Sequence, residues 1–177
     1  TTEIRREIIA RKGFLRRVYQ EWYEDIAAAL PPIAGPVLEL GSGGGFLKQR
    51  VPDLITSEVF PLPNVGLVLD AHHLPVRRNE LRAIVMVDVF HHLREPRHFL
   101  TDAARCVRKG GAVVMIEPWV TAWSRRIYSR LHHEPFEPDA TSWSFAPSGP
   151  LSGANGALPW IVFERDRSQF ELEFPEW

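Results

Sequence analysis

The stretch VLELGSGGG, residues 37–45, decides how this chain folds. Its first four residues form a short apolar run that is typical of a buried strand, and the glycines after it predict a tight turn into a helix. Glycine adopts positive φ and lets the backbone approach a ligand closely. The N–H groups at the start of a helix add a local positive potential. The pattern therefore predicts a ligand-binding strand–loop–helix unit.

Three patterns of known ligand-binding loops can be compared with this stretch. The dinucleotide pattern G-x-G-x-x-G needs a third small residue where Phe46 stands, so a nicotinamide oxidoreductase is disfavoured. The phosphate-loop pattern needs a Gly-Lys pair, which is absent at the required place. The pattern that fits is E-x-G-x-G-x-G, which begins at Glu39. A tight turn without any ligand is the plain structural alternative.

Further apolar runs predict an α/β fold. They are continuous rather than alternating, which is typical of parallel strands covered by helices on both faces. Strands are expected at 54–58, 65–70, 83–88 and 112–117, and helices at 46–51 and 96–108.

The two ends of the chain differ from this central pattern. Residues 3–30 predict helix, divided near Gly13 and ended by the prolines at 31–32. Residues 135–160 predict a long loop packed on the domain through apolar side chains such as Trp143. The tail allows a strand or a helix, and we favour a helix from about 166 to 174.

The composition limits the function classes. The 177 residues carry a net charge of −1, so no basic excess points to nucleic acid. Cys106 is the only cysteine, which excludes a disulfide framework within the chain and suggests a cytoplasmic protein. We interpret Cys106 as a core residue. No apolar run is long enough to cross a bilayer, and residues 1–5 lack a signal-peptide pattern.

Three more segments strengthen the motif that begins at Glu39. They are DAHHLPV at 70–76, DVFHHL at 88–93 and RCVRKGG at 105–111. Together the four resemble, in order and spacing, the class I S-adenosylmethionine-dependent methyltransferases, and most of all the methyltransferase type 11 group. The resemblance covers 36–118 and implies a Rossmann-like, mostly parallel sheet flanked by helices. We expect one domain over 1–177: a helical cap (1–32), a cofactor-binding core (36–118) and a substrate side (119–177). Five strands are expected here against seven in the family.

The resemblance also implies roles for residues that bind S-adenosylmethionine. The glycine loop would lie along the ribose and the methionine portion. Glu39 would face the amino group, Glu58 would accept the ribose hydroxyls, and Asp70 would accept the adenine amine. The full set implied to bind the cofactor is Glu39, Gly41, Ser42, Gly43, Glu58, Asp70, Ala71 and Asp88.

The acceptor side is less defined. Asp88 and His91 are the catalytic candidates, because neutral imidazole accepts a proton near pH 7. One of His91 and His92 is expected to point inward. The cluster at 132–134, two histidines and a glutamate, could bind a metal. Without a third spaced ligand we favour a helix end and expect no metal. Tyr19, Trp22 and Tyr23 either cap the cofactor or pack in the core.

Two functions from different classes remain open. The first is methyl transfer by in-line displacement to a small-molecule acceptor such as a sugar, lipid or quinone. The second is a catalytically inactive S-adenosylmethionine-binding domain that acts as a partner subunit. Acidic residues at Glu58 and Asp70 favour the first, since an inactive domain need not keep them.

Overall fold

The computed structural model describes residues 2–63, 65–131, 134–145 and 153–177. The chain divides into two compact units. The first unit comprises Thr1–Asp70, Pro75–Val87 and Arg105–Ile116, and the second comprises Ala71–Leu74, Asp88–Ala104 and Glu117–Trp177.

The first unit is built around a parallel sheet, as the continuous apolar runs predict. The strand order is β3-β2-β1-β4-β5, and every neighbouring pair is parallel. The chain order therefore reverses beside β1, and in open α/β sheets ligands bind at the carboxyl ends of the strands at such a point. The strands are β1 (Val37–Leu40), β2 (Leu54–Glu58), β3 (Leu67–Val68), β4 (Leu81–Val87) and β5 (Val107–Ile116).

Two N-terminal helices belong to the same unit. They are α1 (Thr2–Arg11) and α2 (Gly13–Ala29), so the predicted division near Gly13 is confirmed. Tyr23 and Ile26 of α2 are buried in one apolar cluster with side chains of β1, β2 and β4. The short helix predicted at 46–51 is a 3₁₀ turn over Leu47–Gln49.

The prediction for the region before the fifth strand is wrong in its boundaries. The helix predicted over 96–108 ends at Cys106, and the strand predicted over 112–117 already begins at Val107. Leu81 pairs with Val107, but Ala83 pairs with Ala112, so β5 bulges between these two pairs. Gly110 adopts a φ of 79° within the bulge. The two glycines interpreted as a helix exit thus serve an irregular strand.

The second unit is helical. Its elements are a 3₁₀ turn (Phe90–His92), α3 (Pro96–Cys106, which ends in the first unit), α4 (Ala122–Leu131), α5 (Leu158–Trp160), a π turn (Ile161–Arg165) and α6 (Arg167–Glu173). The preference for a helix in the tail is confirmed, and the hairpin alternative is wrong. Trp143 is buried, as predicted for the long loop, of which 146–152 lie outside the described residues.

Two smaller expectations can be compared with the structure. Cys106 is fully buried, which confirms its place in the core. Among the described helices, none is both long and apolar enough to cross a membrane.

Candidate active site

The glycine loop is held against the end of β2. Gly41 and Gly43 have φ values of 64° and 48°, a region that residues with a Cβ rarely adopt. The N–H of Gly43 donates to Oε2 of Glu58 at 3.1 Å, and the N–H of Ser42 donates to the Ser57 carbonyl at 2.9 Å. The structure therefore brings Glu58 and the loop together, and their part in binding a ligand stays a prediction.

Glu39 is a buried carboxyl beneath the loop, with 5% of its surface exposed. Burial raises its pKa to about 7; a hydrogen bond from Ser42 opposes this shift, and the negative charge of Glu58 adds to it. The negative charge of Glu58 thus disfavours ionisation of the buried Glu39 carboxyl. A bound cation would relieve this repulsion, so the region suits a ligand with a positively charged group.

The N-terminal helices pack on the other side of the loop. A Cβ on Gly44 would lie 2.8 Å from the backbone nitrogen of Arg6 in α1. The hydroxyl of Tyr23 accepts the N–H of Phe46 at 3.3 Å, and the two rings meet edge-on at 4.9 Å. Tyr23 is therefore a core residue that also supports the loop. Tyr19 packs against Tyr23 with ring centroids 5.8 Å apart.

Asp70 and Ala71 lie just after β3, as the sequence predicts. Asp70 is exposed and belongs to the first unit, whereas Ala71 is buried and belongs to the second. Their part in binding adenine stays a prediction.

The second unit contains the catalytic candidates. Asp88 follows β4 with a φ of 55°, a strained backbone conformation for a residue with a side chain. Such strained residues cluster at functional sites. Desolvation raises the pKa of the Asp88 carboxyl to about 6, and the negative charges of Glu117 and Glu134 contribute, while His91 opposes the shift.

His91 is buried and held by Glu117. Its Nδ1 lies 2.7 Å from Oε2 of Glu117, whose Oε1 also accepts the N–H groups of Val89 and Phe90 at 2.8 and 2.6 Å. Burial alone would lower the pKa of His91, but the hydrogen bond and charge of Glu117, with the charges of Asp88 and Glu134, raise it overall. The inward-pointing histidine of the pair is therefore His91.

His92 has a different environment. Its side chain is about one-third exposed, and its ring lies beside that of His91 with centroids 4.1 Å apart. Burial lowers its pKa, and the charge of His91 lowers it further.

Sequence reasoning missed the parts played by Glu117 and Glu134. Glu117 follows β5 directly, and an acid at the carboxyl end of a parallel strand was the available signal. Glu134 was assigned to a cluster with its two preceding histidines, which lie outside the described residues. Its carboxylate lies instead 3.5 Å from Nε2 of His91 and 3.9 Å from Nε2 of His92.

Known proteins share this sheet. A S-adenosylmethionine-dependent methyltransferase from Thermotoga maritima is 20% identical, with a TM-score of 0.52 over 63% of this chain and 57% of its own. A protein from Bacillus halodurans C-125 classed as a methyltransferase is 17% identical, with a TM-score of 0.52 over 84% of this chain and 63% of its own. One from Methanococcus maripaludis, also classed as a methyltransferase, is 16% identical, with a TM-score of 0.51 over 64% of this chain and 62% of its own.

The family comparison concerns the middle of the chain. The model of the family described as "Methyltransferase domain" matches residues 61–115, which include β4, α3 and most of β5. Residues 61–115 therefore resemble a methyltransferase domain, and the three structures above share the fold of the chain. The chain spans 57–63% of the length of the three structures above. No curated protein matches it at a significant level.

The methyltransferase from Thermotoga maritima depends on S-adenosylmethionine, and the residues of the first unit fit this cofactor. The ligand carries an ammonium and a sulfonium, which suit a region holding Glu39 and Glu58. A Cβ on Gly43 would lie in van der Waals contact with the Gly41 carbonyl oxygen at 3.6 Å and with Oε2 of Glu58 at 3.9 Å, so a side chain there would stand beside the Glu58 carboxylate. Glu58 accepts the N–H of Gly43 and, through Oε1, that of Val59 at 3.0 Å. Its remaining lone pairs can accept ribose hydroxyls.

Proposed function

We propose that this methyltransferase domain is an active enzyme that transfers a methyl group from S-adenosylmethionine to a small-molecule acceptor. The observation that carries the proposal is the glycine loop bonded to Glu58 above the buried carboxyl of Glu39. An inactive relic has no need to keep a buried acid whose ionisation is unfavourable without a cation.

The residues on the cofactor side would bind and orient. S-adenosylmethionine supplies a methyl group already activated on its sulfonium, so the protein mainly aligns the reactants and excludes water. Glu39 would balance the charge of the amino group and Glu58 would accept the ribose hydroxyls. Asp70 would accept the adenine amine, beside the Ala71 backbone.

Asp88 and His91 are proposed to serve the acceptor. Nδ1 of His91 is engaged by Glu117, which fixes the ring orientation and leaves Nε2 as the nitrogen that can accept a proton from an acceptor O–H or N–H. Glu117 would be a positioning residue, comparable in role to the acid that orients the histidine of a catalytic triad. The strained backbone at Asp88 supports a functional assignment for this turn.

The near-neutral charge of the chain supports a small-molecule acceptor over a nucleic acid. The acceptor is best found by a screen that measures product formation from the cofactor.

Calorimetric titration with S-adenosylmethionine and S-adenosylhomocysteine tests the cofactor side. The parent should bind both, whereas Gly43→Val should bind at least about tenfold more weakly, because a β-branched residue disfavours positive φ and would fill the space beside Glu58. Gly13→Ala is the matched control, since a Cβ at Gly13 would meet no atom within 4 Å and the residue lies in α2. A folded parent that binds neither ligand would contradict the proposal.

A second experiment separates an enzyme from a binding domain. The parent is incubated with S-adenosylmethionine and an acceptor panel covering hydroxyl, amine, carboxyl and thiol groups, and S-adenosylhomocysteine is quantified. The proposal is supported if one acceptor class raises the rate of S-adenosylhomocysteine formation above the acceptor-free rate. This increase should be lost in Gly43→Val and kept in Gly13→Ala. Tight binding without turnover on any class would favour the inactive partner subunit.

A further inference from the structure

Both histidines of the 3₁₀ turn contact an acceptor through Nδ1, so that Nε2 of each ring is left for a ligand. Nδ1 of His91 lies 2.7 Å from a carboxylate oxygen of Glu117, and Nδ1 of His92 lies 3.3 Å from the carbonyl oxygen of Gly153. Because each Nδ1 faces an acceptor, it carries the proton and leaves a lone pair on Nε2. Metal-binding histidines are usually held in this way, with the second nitrogen donating to a carboxylate or a backbone carbonyl.

The two Nε2 atoms lie near the two oxygens of one carboxylate, that of Glu134. Oε2 of Glu134 is 3.5 Å from Nε2 of His91, and Oε1 is 3.9 Å from Nε2 of His92. These distances exceed those of a good hydrogen bond. They are close to the separation of about 3.4 Å that two ligands have around a tetrahedral zinc ion with bonds of about 2.0–2.2 Å. The three ligand atoms all lie within 4.8 Å of one another.

Hydrogen bonds of Glu117 and Asn155 hold the two segments that carry His91, His92 and Glu134. Glu117 accepts backbone N–H groups at the start of the turn that carries both histidines. Buried Asn155 holds the segment after Glu134: its side chain accepts the N–H of Glu137 at 2.9 Å and donates to the carbonyl of the same residue at 3.1 Å. Its own N–H donates to the His91 carbonyl at 2.9 Å. One residue therefore ties the histidine turn to the segment that carries Glu134, which pre-forms the ligand set.

We propose that His91, His92 and Glu134 form a binding site for a divalent transition-metal ion, with Zn²⁺ as the best match. Two imidazoles and one carboxylate are a ligand set that Zn²⁺ takes in catalytic sites, where a fourth position stays open. Harder ions such as Mg²⁺ prefer oxygen ligands only, and Mn²⁺ binds nitrogen donors more weakly than Zn²⁺.

The zinc site does not depend on methyl transfer, but what the ion does there rests on the proposed function. An acceptor oxygen or nitrogen at the open position would be polarised by the ion. With the ion bound, the Nε2 lone pair of His91 is a metal ligand and no longer accepts a proton. The ion, rather than the imidazole, then activates the acceptor. The substrate class would be an acceptor with a metal-binding oxygen or nitrogen.

Calorimetric titration of the chelator-treated chain with Zn²⁺, without S-adenosylmethionine, tests the site. One ion per chain should bind, and Glu134→Gln and His92→Gln should each weaken binding at least about 10- to 100-fold. Both side chains are partly exposed, so the variants should keep the far-ultraviolet circular dichroism of the parent. Glu137→Gln is the matched control in the same segment, and it should bind Zn²⁺ like the parent.

Two further variants make the result specific. Replacing the neighbouring histidines at 132 and 133 together by Gln should leave Zn²⁺ binding unchanged, and Glu117→Gln should weaken it about 10- to 100-fold through the orientation of His91. Absence of Zn²⁺ binding by the parent, parent-like binding by Glu134→Gln, or loss of binding in the double variant would each overturn the site. Since S-adenosylmethionine binding is measured separately, failure of the metal site and failure of the methyltransferase proposal are distinguishable.

Discussion

At the scale of single residues, Glu39 connects stability with ligand binding. Its carboxyl is buried beneath the glycine loop, and its pKa is raised from 4.5 to about 7. The folded free chain therefore binds a proton that the unfolded chain releases at lower pH. The contribution of Glu39 to the free energy of unfolding is fully present below pH 4.5 and is lost as the pH rises through 7. The loss is on the order of 1–3 kcal/mol.

Glu39→Gln should remove this pH dependence. The variant should have a higher free energy of unfolding than the parent at pH 8, because no buried charge has to form, and a similar value at pH 5. It should bind S-adenosylmethionine more weakly at pH 8, since the ammonium loses its carboxylate. Urea unfolding and calorimetry at both pH values check this, with exposed Glu24→Gln as the control. If the free energy of unfolding of Glu39→Gln differed between pH 5 and pH 8 as much as that of the parent, ionisation of Glu39 would not be the cause of the pH dependence.

At the scale of elements, the position of α1 depends on Gly44 of the glycine loop having no side chain. Of its residues, Ile9 is buried and most others are exposed, so packing stabilises this helix little. Its backbone nevertheless approaches Gly44 closely enough that a Cβ would collide with Arg6. The glycines of the loop thus serve the helix above them as well as the ligand.

Gly44→Ala should loosen α1 without unfolding the sheet. The helix with few buried contacts should give way first, so amide hydrogen exchange over residues 2–11 should become faster. The free energy of unfolding should fall by only about 1 kcal/mol. Gly13→Ala should leave exchange in α1 close to that of the parent. If amide hydrogen exchange became faster in β1 and β2 but stayed the same in α1, the collision would be relieved by movement of the loop and not of the helix.

At the scale of the whole molecule, each unit holds one part of the proposed chemistry and has its own core. In the second unit, Trp143 joins the long loop to other segments. Its indole N–H donates to Asp166 at 2.8 Å, and the guanidinium of Arg97 lies 4.0 Å from its ring centroid. Arg97 also makes two hydrogen bonds to Glu173, at 2.6 and 3.0 Å. One buried ring thereby stabilises α3, the loop and the tail together.

Trp143→Phe should destabilise the protein by about 2–4 kcal/mol, because it leaves a cavity, removes one hydrogen bond to Asp166 and weakens the cation–π contact. Trp123→Phe, at a side chain that is 72% exposed, should change the free energy of unfolding by less than about 0.5 kcal/mol. Denaturant unfolding followed by circular dichroism measures both. Equal stability of the two variants would mean that the loop is not anchored by Trp143.

The sequence by itself determined the parts of this protein that depend on short-range patterns. β1 and β2 were predicted to the residue, because each is a short run that starts with apolar residues and lies between turn-forming residues. The glycine loop and the acid at the end of β2 followed from chain order and spacing. The strand order of the sheet agrees with the fold that these motifs imply.

Only the tertiary structure decided which side chains meet across long separations in the sequence. The start of β5 was missed because pairing with β4 accommodates a bulge at Gly110, which a local pattern interprets as a helix exit. Glu117 and Glu134 lie 26 and 43 positions beyond His91, and no periodicity relates them. Their approach to the histidine pair depends on where β5 ends and on how Asn155 anchors the segment after Glu134. Short-range patterns report propensity and burial, whereas a site of this kind is made by the packing of distant segments.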